Sequence, residues 1–338
     1  MRDESGTDHL RRSERSSKDN VVNLTGSLGG LPKEDNMCGI YGYVGNPKDP
    51  KVLAKFMKVL AVVSETRGTD GTGFFAISDS ELLTEKSAIK ASEFMEQSDY
   101  FKDAIVNRNC RLFVGHNRNA SMGEVNVLNT QPFVGDEWAI VHNGTMHDAF
   151  DLAKLHRVKS KIKSGSDTEA FFRCVEKVGF TKELLNAVQS YSMIAVNFIE
   201  NVVLFARDSS RPMCVVDLRD SLGVRIFCST KQIVQDALRY TNKAGITSVQ
   251  VKKIKSFFTK PLHYYMVDVE TMEFTNLGRY EEDPEPVVVT REVNHDDPED
   301  SDEAFYNNIV DSYYGRRGYP APATALGNPP PKRVSYGD

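Results

Sequence analysis

The groups in this chain with types and positions that could do chemistry are a cysteine that follows a methionine, and a few guanidinium, amide and carboxylate side chains beyond it. Cys38 comes after Met37 and opens the run Cys38-Gly39-Ile40-Tyr41-Gly42-Tyr43-Val44-Gly45, apolar with small residues interspersed. That pattern suits a buried strand that brings its first residue into a pocket. If residues 1–37 are absent from the working protein, the thiol and a free α-amino group sit on one residue. An α-amine has a pKa of about 8, so near neutrality part of it is unprotonated and can activate the thiol. A cysteine that stays inside the chain is instead a structural core thiol.

Further polar groups follow at strand and helix ends. Arg67-Gly68-Thr69-Asp70-Gly71-Thr72-Gly73 is a glycine-rich turn before the strand Phe74-Phe75-Ala76-Ile77. A phosphate loop precedes a helix, so Arg67 and Asp70 read as braces of a loop. An apolar run at residues 110–114 delivers Gly115-His116-Asn117-Arg118-Asn119-Ala120-Ser121, and Arg118 there could clamp a carboxylate or close an ordinary salt bridge. Trp138-Ala139-Ile140-Val141-His142-Asn143-Gly144 ends in Asn-Gly, either a hairpin turn or an amide and a backbone N–H converging as an oxyanion hole. Asp167 opens a helix, where it could satisfy backbone donors or hold an ammonium group. His142 and His147 lack a third ligand at a sensible spacing, and the five cysteines show no paired spacing. Neither a disulfide framework nor a zinc site is therefore indicated, and a reducing cytoplasm fits best.

The elements that must position these groups alternate in type. Helical periodicity covers residues 50–65, 92–106, 148–156, 166–178, 181–190 and 232–240. Strands are expected near 74–77, 110–114, 138–145, 193–198, 202–206, 214–217, 224–228, 249–254 and 264–269. Antiparallel strands with paired helices predict a layered α+β fold.

The two ends differ from this middle. Residues 1–36 are polar with little apolar periodicity, which predicts a disordered leader. It reads as a cleaved propeptide or as an upstream extension, with synthesis starting at Met37 and methionine removal exposing Cys38. Residues 281–303 hold eleven acidic residues against the single basic Arg291, and eight of the 14 prolines lie beyond Tyr280. That composition predicts a disordered acidic, Pro-rich tail over 281–338 and leaves 38–280 as the folded domain. The acidic balance of the whole chain, -5, belongs to the tail, and the folded part has no basic face that argues for nucleic acid. No apolar run reaches the length of a membrane span.

Met37-Cys38-Gly39-Ile40-Tyr41-Gly42, Arg67-Gly68-Thr69-Asp70-Gly71, His116-Asn117-Arg118-Asn119-Ala120-Ser121, Val141-His142-Asn143-Gly144 and Ser166-Asp167-Thr168-Glu169 together resemble, in order, the class II glutamine amidotransferases. The resemblance implies the N-terminal-nucleophile hydrolase fold, a four-layer αββα sandwich, over 38–280. It implies that Cys38 attacks the side-chain amide of glutamine and that a glutamyl thioester is then hydrolysed, a mechanism that requires no metal or organic cofactor. By the same likeness Asn143 and Gly144 form the oxyanion hole, Arg118 meets the α-carboxylate and Asp167 the α-amino group, with Arg67, Asp70, His116 and Ser121 in support. Relatives carry tryptophan where this chain has Asn119, and threonine where it has Ser121, which implies a different closure over the substrate. The family usually joins this domain to a synthase domain that consumes the ammonia, and here an acidic tail follows Tyr280, so the resemblance implies either a separate synthase or ligase that accepts the ammonia or a simple glutaminase. Free-standing domains of this kind are familiar in bacteria and their phages. Two alternatives stand beside this reading: another amide or γ-glutamyl hydrolase on the same scaffold, and a non-catalytic glutamine-binding or scaffolding module if Cys38 never becomes N-terminal.

Overall fold

A computed structural model describes residues 37–78 and 81–280 of the 338-residue chain. The expected leader, Met37 apart, and the expected tail lie outside the described residues. In order come β1 (Gly39–Gly45), α1 (Pro50–Val63), β2 (Gly71–Ile77), β3 (Leu82–Ser87), α2 (Ala91–Gln97), α3 (Asp99–Val106), β4 (Leu112–Arg118), β5 (Phe133–Val134) and β6 (Trp138–Gly144). Then follow α4 (Ala149–Leu155), α5 (Asp167–Val178), α6 (Lys182–Asn186), β7 (Tyr191–Asn197), β8 (Val202–Arg207), β9 (Cys214–Leu218), α7 (Arg219–Leu222) and β10 (Val224–Cys228). The last are α8 (Lys231–Lys243), β11 (Lys255–Phe258), β12 (His263–Val267) and β13 (Phe274–Arg279).

Among the described residues the strands form two sheets, ordered β11-β9-β10-β1-β4-β2-β3 and β13-β12-β8-β7-β6-β5, and every pairing is antiparallel. Side chains alternate across a strand, so each sheet offers two faces. In β1, Tyr41 and Tyr43 join a buried cluster with α1, α2, α3 and α8, whereas Ile40 and Val44 join a cluster with the second sheet. In β6, Ile140 packs toward α4 and α5, and Ala139 and Val141 pack toward the first sheet. The inter-sheet cluster also takes Val114 from β4, Ile194 from β7 and Phe205 from β8. The two sheets thus face each other through one set of alternating residues, and each packs helices through the other set. Gly42 permits this locally, because a Cβ there would lie 2.1 Å from the Phe113 carbonyl oxygen and 2.3 Å from the Phe227 ring.

Local chemistry sets the element ends. Asp49 caps α1, accepting from Lys51 N at 2.9 Å and Val52 N at 3.0 Å, with Pro50 at the first helical position. The helix expected over 92–106 is two, because Ser98 leaves helical geometry and its Oγ accepts from Phe101 N at 3.0 Å to start α3. The strand expected to end at 114 continues to Arg118, since its polar residues find partners inside the fold: Asn117 Nδ2 donates to the Ala61 carbonyl at 2.9 Å. Asn143-Gly144 is the end of β6, in register with Ser192 and Tyr191, and makes no hairpin turn. Residues 251–253 form a short 3₁₀ turn where a strand was expected, and β3, β5 and β13 were not foreseen. No helix among the described residues is long and apolar enough to cross a membrane.

Candidate active site

Cys38 immediately precedes β1, and its parity with Ile40 and Val44 turns it toward the space between the sheets. It is only 8% exposed. Its Sγ lies 3.4 Å from both the backbone N and the carbonyl oxygen of Asn119, just past the end of β4. Burial pushes the thiol up to about 11; the Asn119 backbone opposes this, the Asp167 charge adds to it, and the charges of Arg118 and Arg67 pull it down. These four residues are therefore electrostatic neighbours of one sulfur. Arg67 Nε donates to the Cys38 carbonyl at 2.9 Å and pins the residue's backbone.

Antiparallel pairing brings the other strand ends to the same place. Gly39 pairs with Asn117, and Gly71 pairs with Arg118, so β1, β2 and β4 present their ends together. Asp70 braces this corner: its N–H donates to the Arg118 carbonyl at 2.9 Å and its Oδ2 accepts from Ala120 N at 2.8 Å. The Arg118 guanidinium donates to the carbonyls of Met122 at 2.7 Å and Glu124 at 2.8 Å, so it holds the loop that follows β4, and it makes no side-chain salt bridge among the described residues. Ser121 is exposed on that loop and accepts from Thr145 Oγ1 at 3.1 Å.

On the facing sheet, Asn143 shares the inter-sheet parity of Ala139 and Val141. It is fully buried, and neither Oδ1 nor Nδ2 has a hydrogen-bond partner among the described residues. A buried amide with both ends unmatched is costly, which is what a site built to receive a ligand atom looks like before the ligand arrives. Gly144 beside it has φ of +145°, and a Cβ there would sit 1.6 Å from the Ser190 carbonyl oxygen. Only glycine fits that backbone.

Asp167 is buried at the first turn of α5. Its Oδ2 accepts from Met146 N at 2.7 Å and its Oδ1 from Thr168 N at 2.8 Å, so it does the work of a helix-start carboxylate and ties β6 to α5. An ionised carboxylate has further lone pairs, so these bonds leave capacity for a cation. His116 bridges the sheets, with Nε2 3.0 Å from the His142 carbonyl. Burial, with help from His142, pushes His116 down to about 3, so it is neutral, and with a carbonyl opposite Nε2 the proton resides there. His142 turns the other way, with Nδ1 3.1 Å from Thr168 Oγ1. Among the described residues no three His, Cys, Asp or Glu side chains are placed to hold a metal ion.

Sequence reasoning missed the Asn119 backbone at the sulfur, and it missed Gln131, which accepts from His142 N at 2.6 Å and donates to the His142 carbonyl at 3.0 Å. It also missed Arg211, whose Nη1 reaches Met37 Sδ at 3.0 Å. A polar residue within an apolar alternation, such as Ser192 ahead of Ile194 and Val196, was the available signal for one more site-facing group.

No family model matches the chain. Among curated proteins it is 31% identical over 195 residues to the glutamine–fructose-6-phosphate aminotransferase of Bacteroides thetaiotaomicron, 55% of this chain and 29% of that protein. It is 32% identical over 163 residues to the enzyme of the same name from Methanococcus maripaludis, 46% of this chain and 26% of that protein. Its homologues are class II glutamine amidotransferases, which are enzymes. In those homologues the match is confined to a part: the chain spans under a third of the length of the curated relatives it matches. The fold is shared with the glutamine phosphoribosylpyrophosphate amidotransferase of Bacillus subtilis, at a TM-score of 0.52 and 18% identity over 73% of this chain and 50% of that one. A structure of the allosteric regulatory enzyme of purine biosynthesis gives 0.53 at the same identity.

Proposed function

We propose that this chain hydrolyses the side-chain amide of glutamine to glutamate and ammonia, with Cys38 as the nucleophile of a glutamyl thioester. The observation that carries the reading is the pairing of a buried thiol with a fully buried, unpartnered Asn143 amide, both turned into the space between the sheets. Homology to amidotransferase enzymes supports the substrate. The likeness to solved amidotransferases supports a four-layer αββα sandwich over 38–280, in keeping with two facing sheets that each carry helices on the outer side.

In this reading Cys38 Sγ attacks the amide carbon, and its proton passes to the α-amine of Cys38 itself. Asn143 Nδ2 and the Gly144 N–H hold the oxygen that becomes negative. Collapse of the tetrahedral intermediate expels ammonia, with the proton returned to the leaving nitrogen. Water then attacks the thioester, and glutamate leaves with the thiol restored. Asp167 holds the α-ammonium of the substrate and Arg118 its α-carboxylate, the guanidinium exchanging loop carbonyls for substrate oxygens. The ammonia goes to a separate synthase or ligase.

The test is release of glutamate and ammonia from glutamine by protein with Cys38 at its N-terminus, beside Cys38→Ala and beside protein that retains residues 1–37. Turnover only in the first supports the reading. Full turnover by Cys38→Ala overturns it. Faster release from γ-glutamyl compounds than from glutamine would move the assignment to a different hydrolase on the same scaffold.

A further inference from the structure

Ser192 lies directly opposite Asn143 in the β6–β7 register. It is fully buried, and its Oγ has no hydrogen-bond partner among the described residues. Its parity with Ile194 and Val196 turns it to the inter-sheet side, the side Asn143 shares. Two adjacent buried polar side chains, both unmatched and both facing the candidate site, call for one explanation.

The problem they address is the orientation of an amide. The two ends of an asparagine side chain are nearly the same shape, so only hydrogen bonds decide which end faces a ligand. With Oδ1 toward a developing oxyanion the contact is repulsive, and with Nδ2 toward it the contact is stabilising. Something must donate to Oδ1 to fix the second orientation. His116 Nδ1 is also buried and unpartnered among the described residues, but the His116 proton sits on Nε2 facing the His142 carbonyl, so Nδ1 can only accept. Arg207, the neighbour of Ser192 on β8, directs its guanidinium to the carbonyls of Thr259 at 2.8 Å and of Asp208 and Arg211. The Ser192 hydroxyl is a donor with no acceptor among the described residues, and directly opposed residues in an antiparallel pair have Cβ atoms about 5 Å apart, which a rotation about χ1 spans.

We propose that Ser192 is a positioning residue: its hydroxyl donates to Asn143 Oδ1 and thereby presents Nδ2 to the reacting carbonyl. The inference rests on the glutaminase reading above and adds to it a residue that acts through Asn143.

The experiment compares glutamine turnover by the active protein, tail retained, with Ser192→Ala, Ser192→Thr, Asn143→Ala and the Ser192→Ala/Asn143→Ala double variant, each checked for native thermal unfolding. Ser192→Ala is expected to lower kcat by about tenfold or more with KM little changed, because the interaction matters when charge develops. Ser192→Thr keeps the hydroxyl on a residue suited to a strand and should recover most of the rate. The double variant should be no slower than Asn143→Ala alone, which a structural role for Ser192 would not produce. A wild-type kcat in Ser192→Ala, or an undiminished further loss in the Asn143→Ala background, overturns the proposal. Should Ser192→Ala fail to fold, Ser192→Gly, which also removes the hydroxyl, is read by the same criteria. If Asn143→Ala itself turns over glutamine normally, it is the glutaminase reading that fails. If Asn143→Ala is slow and Ser192→Ala is not, only the positioning role falls.

Discussion

A thiol held near 11 by burial is almost wholly protonated at neutral pH, so its reactivity depends on a base that takes the proton as the bond forms. If that base is the α-amine of Cys38, kcat/KM for glutamine should rise with pH through the amine's pKa, near 8, because only the unprotonated amine accepts a proton. A rate that falls over pH 6 to 9 would count against the amine. Cys38→Ala is expected to abolish turnover and still bind glutamine, as seen by calorimetry. Removing one oxyanion donor with Asn143→Ala should cost on the order of a hundredfold or more in kcat. Asp167→Ala is expected to weaken binding of glutamine, and it also frees Met146 N, so its melting temperature should fall as well. At this scale the sequence made Cys38 visible through its place after Met37, and Asn143 through the Asn-Gly pair. Ser192 offered a weaker signal, a lone hydroxyl in the alternation with Ile194 and Val196, and its place beside Asn143 came only with the cross-strand register.

Elements hold these residues by their ends, and there the pairing register decides position. Gly144 terminates β6 with its Cα against the Ser190 carbonyl, so Gly144→Ala forces either that carbonyl or the Asn143 backbone to move. Strain at such a position costs about 1–3 kcal/mol, and the expected result is a lower melting temperature together with a loss of kcat as large as that of Asn143→Ala. A variant with normal stability and normal kcat would show that Gly144 is not under this constraint. Two buried histidines, His116 on β4 and His156 at the end of α4, couple stability to pH. His116 is held down to about 3 and His156 to about 4, against about 6.5 when unfolded, both chiefly by burial. Their unfolded forms take up protons below about pH 6.5 while the folded forms do not, so stability is full above that pH and falls as pH drops toward 4. Each contributes a slope of about 1.4 kcal/mol per pH unit in that window, which denaturant midpoints measured from pH 7 to 4 would reveal, and His116→Gln should make it shallower. The strongly periodic elements, α1, α5 and α8 among the helices and β1, β6 to β10 among the strands, were legible from alternation and capping. The edge strands β3 and β13 were not, because the half-buried Glu85 and Lys86 and the exposed Thr275 and Asn276 carry no apolar alternation. Nor was the extension of β4, where buried hydrogen bonds replaced apolar burial as the reason to stay in the sheet.

For the whole molecule, the proposed mechanism requires Cys38 to be the terminal residue. In the chain as described, the Cys38 nitrogen is a peptide nitrogen joined to Met37, and Met37 is held from outside the strand by Arg211. A peptide nitrogen is no base, so a protein that keeps residues 1–37 should turn glutamine over at least about a hundredfold more slowly, the usual loss when a general base is removed. The domain proposed over 38–280 contains every residue placed at the site, the most distant in sequence being Arg211. Deletion of 281–338 from the form that starts at Cys38 should therefore leave kcat and KM for glutamine unchanged, while any ammonia-consuming partner that docks on the acidic tail would lose coupling. The two experiments separate the ends of the chain. Mass analysis of the protein isolated from its own cells gives the N-terminus directly: a first residue of Cys38 agrees with the nucleophile, and an intact residue 1 on protein that hydrolyses glutamine would require a different base.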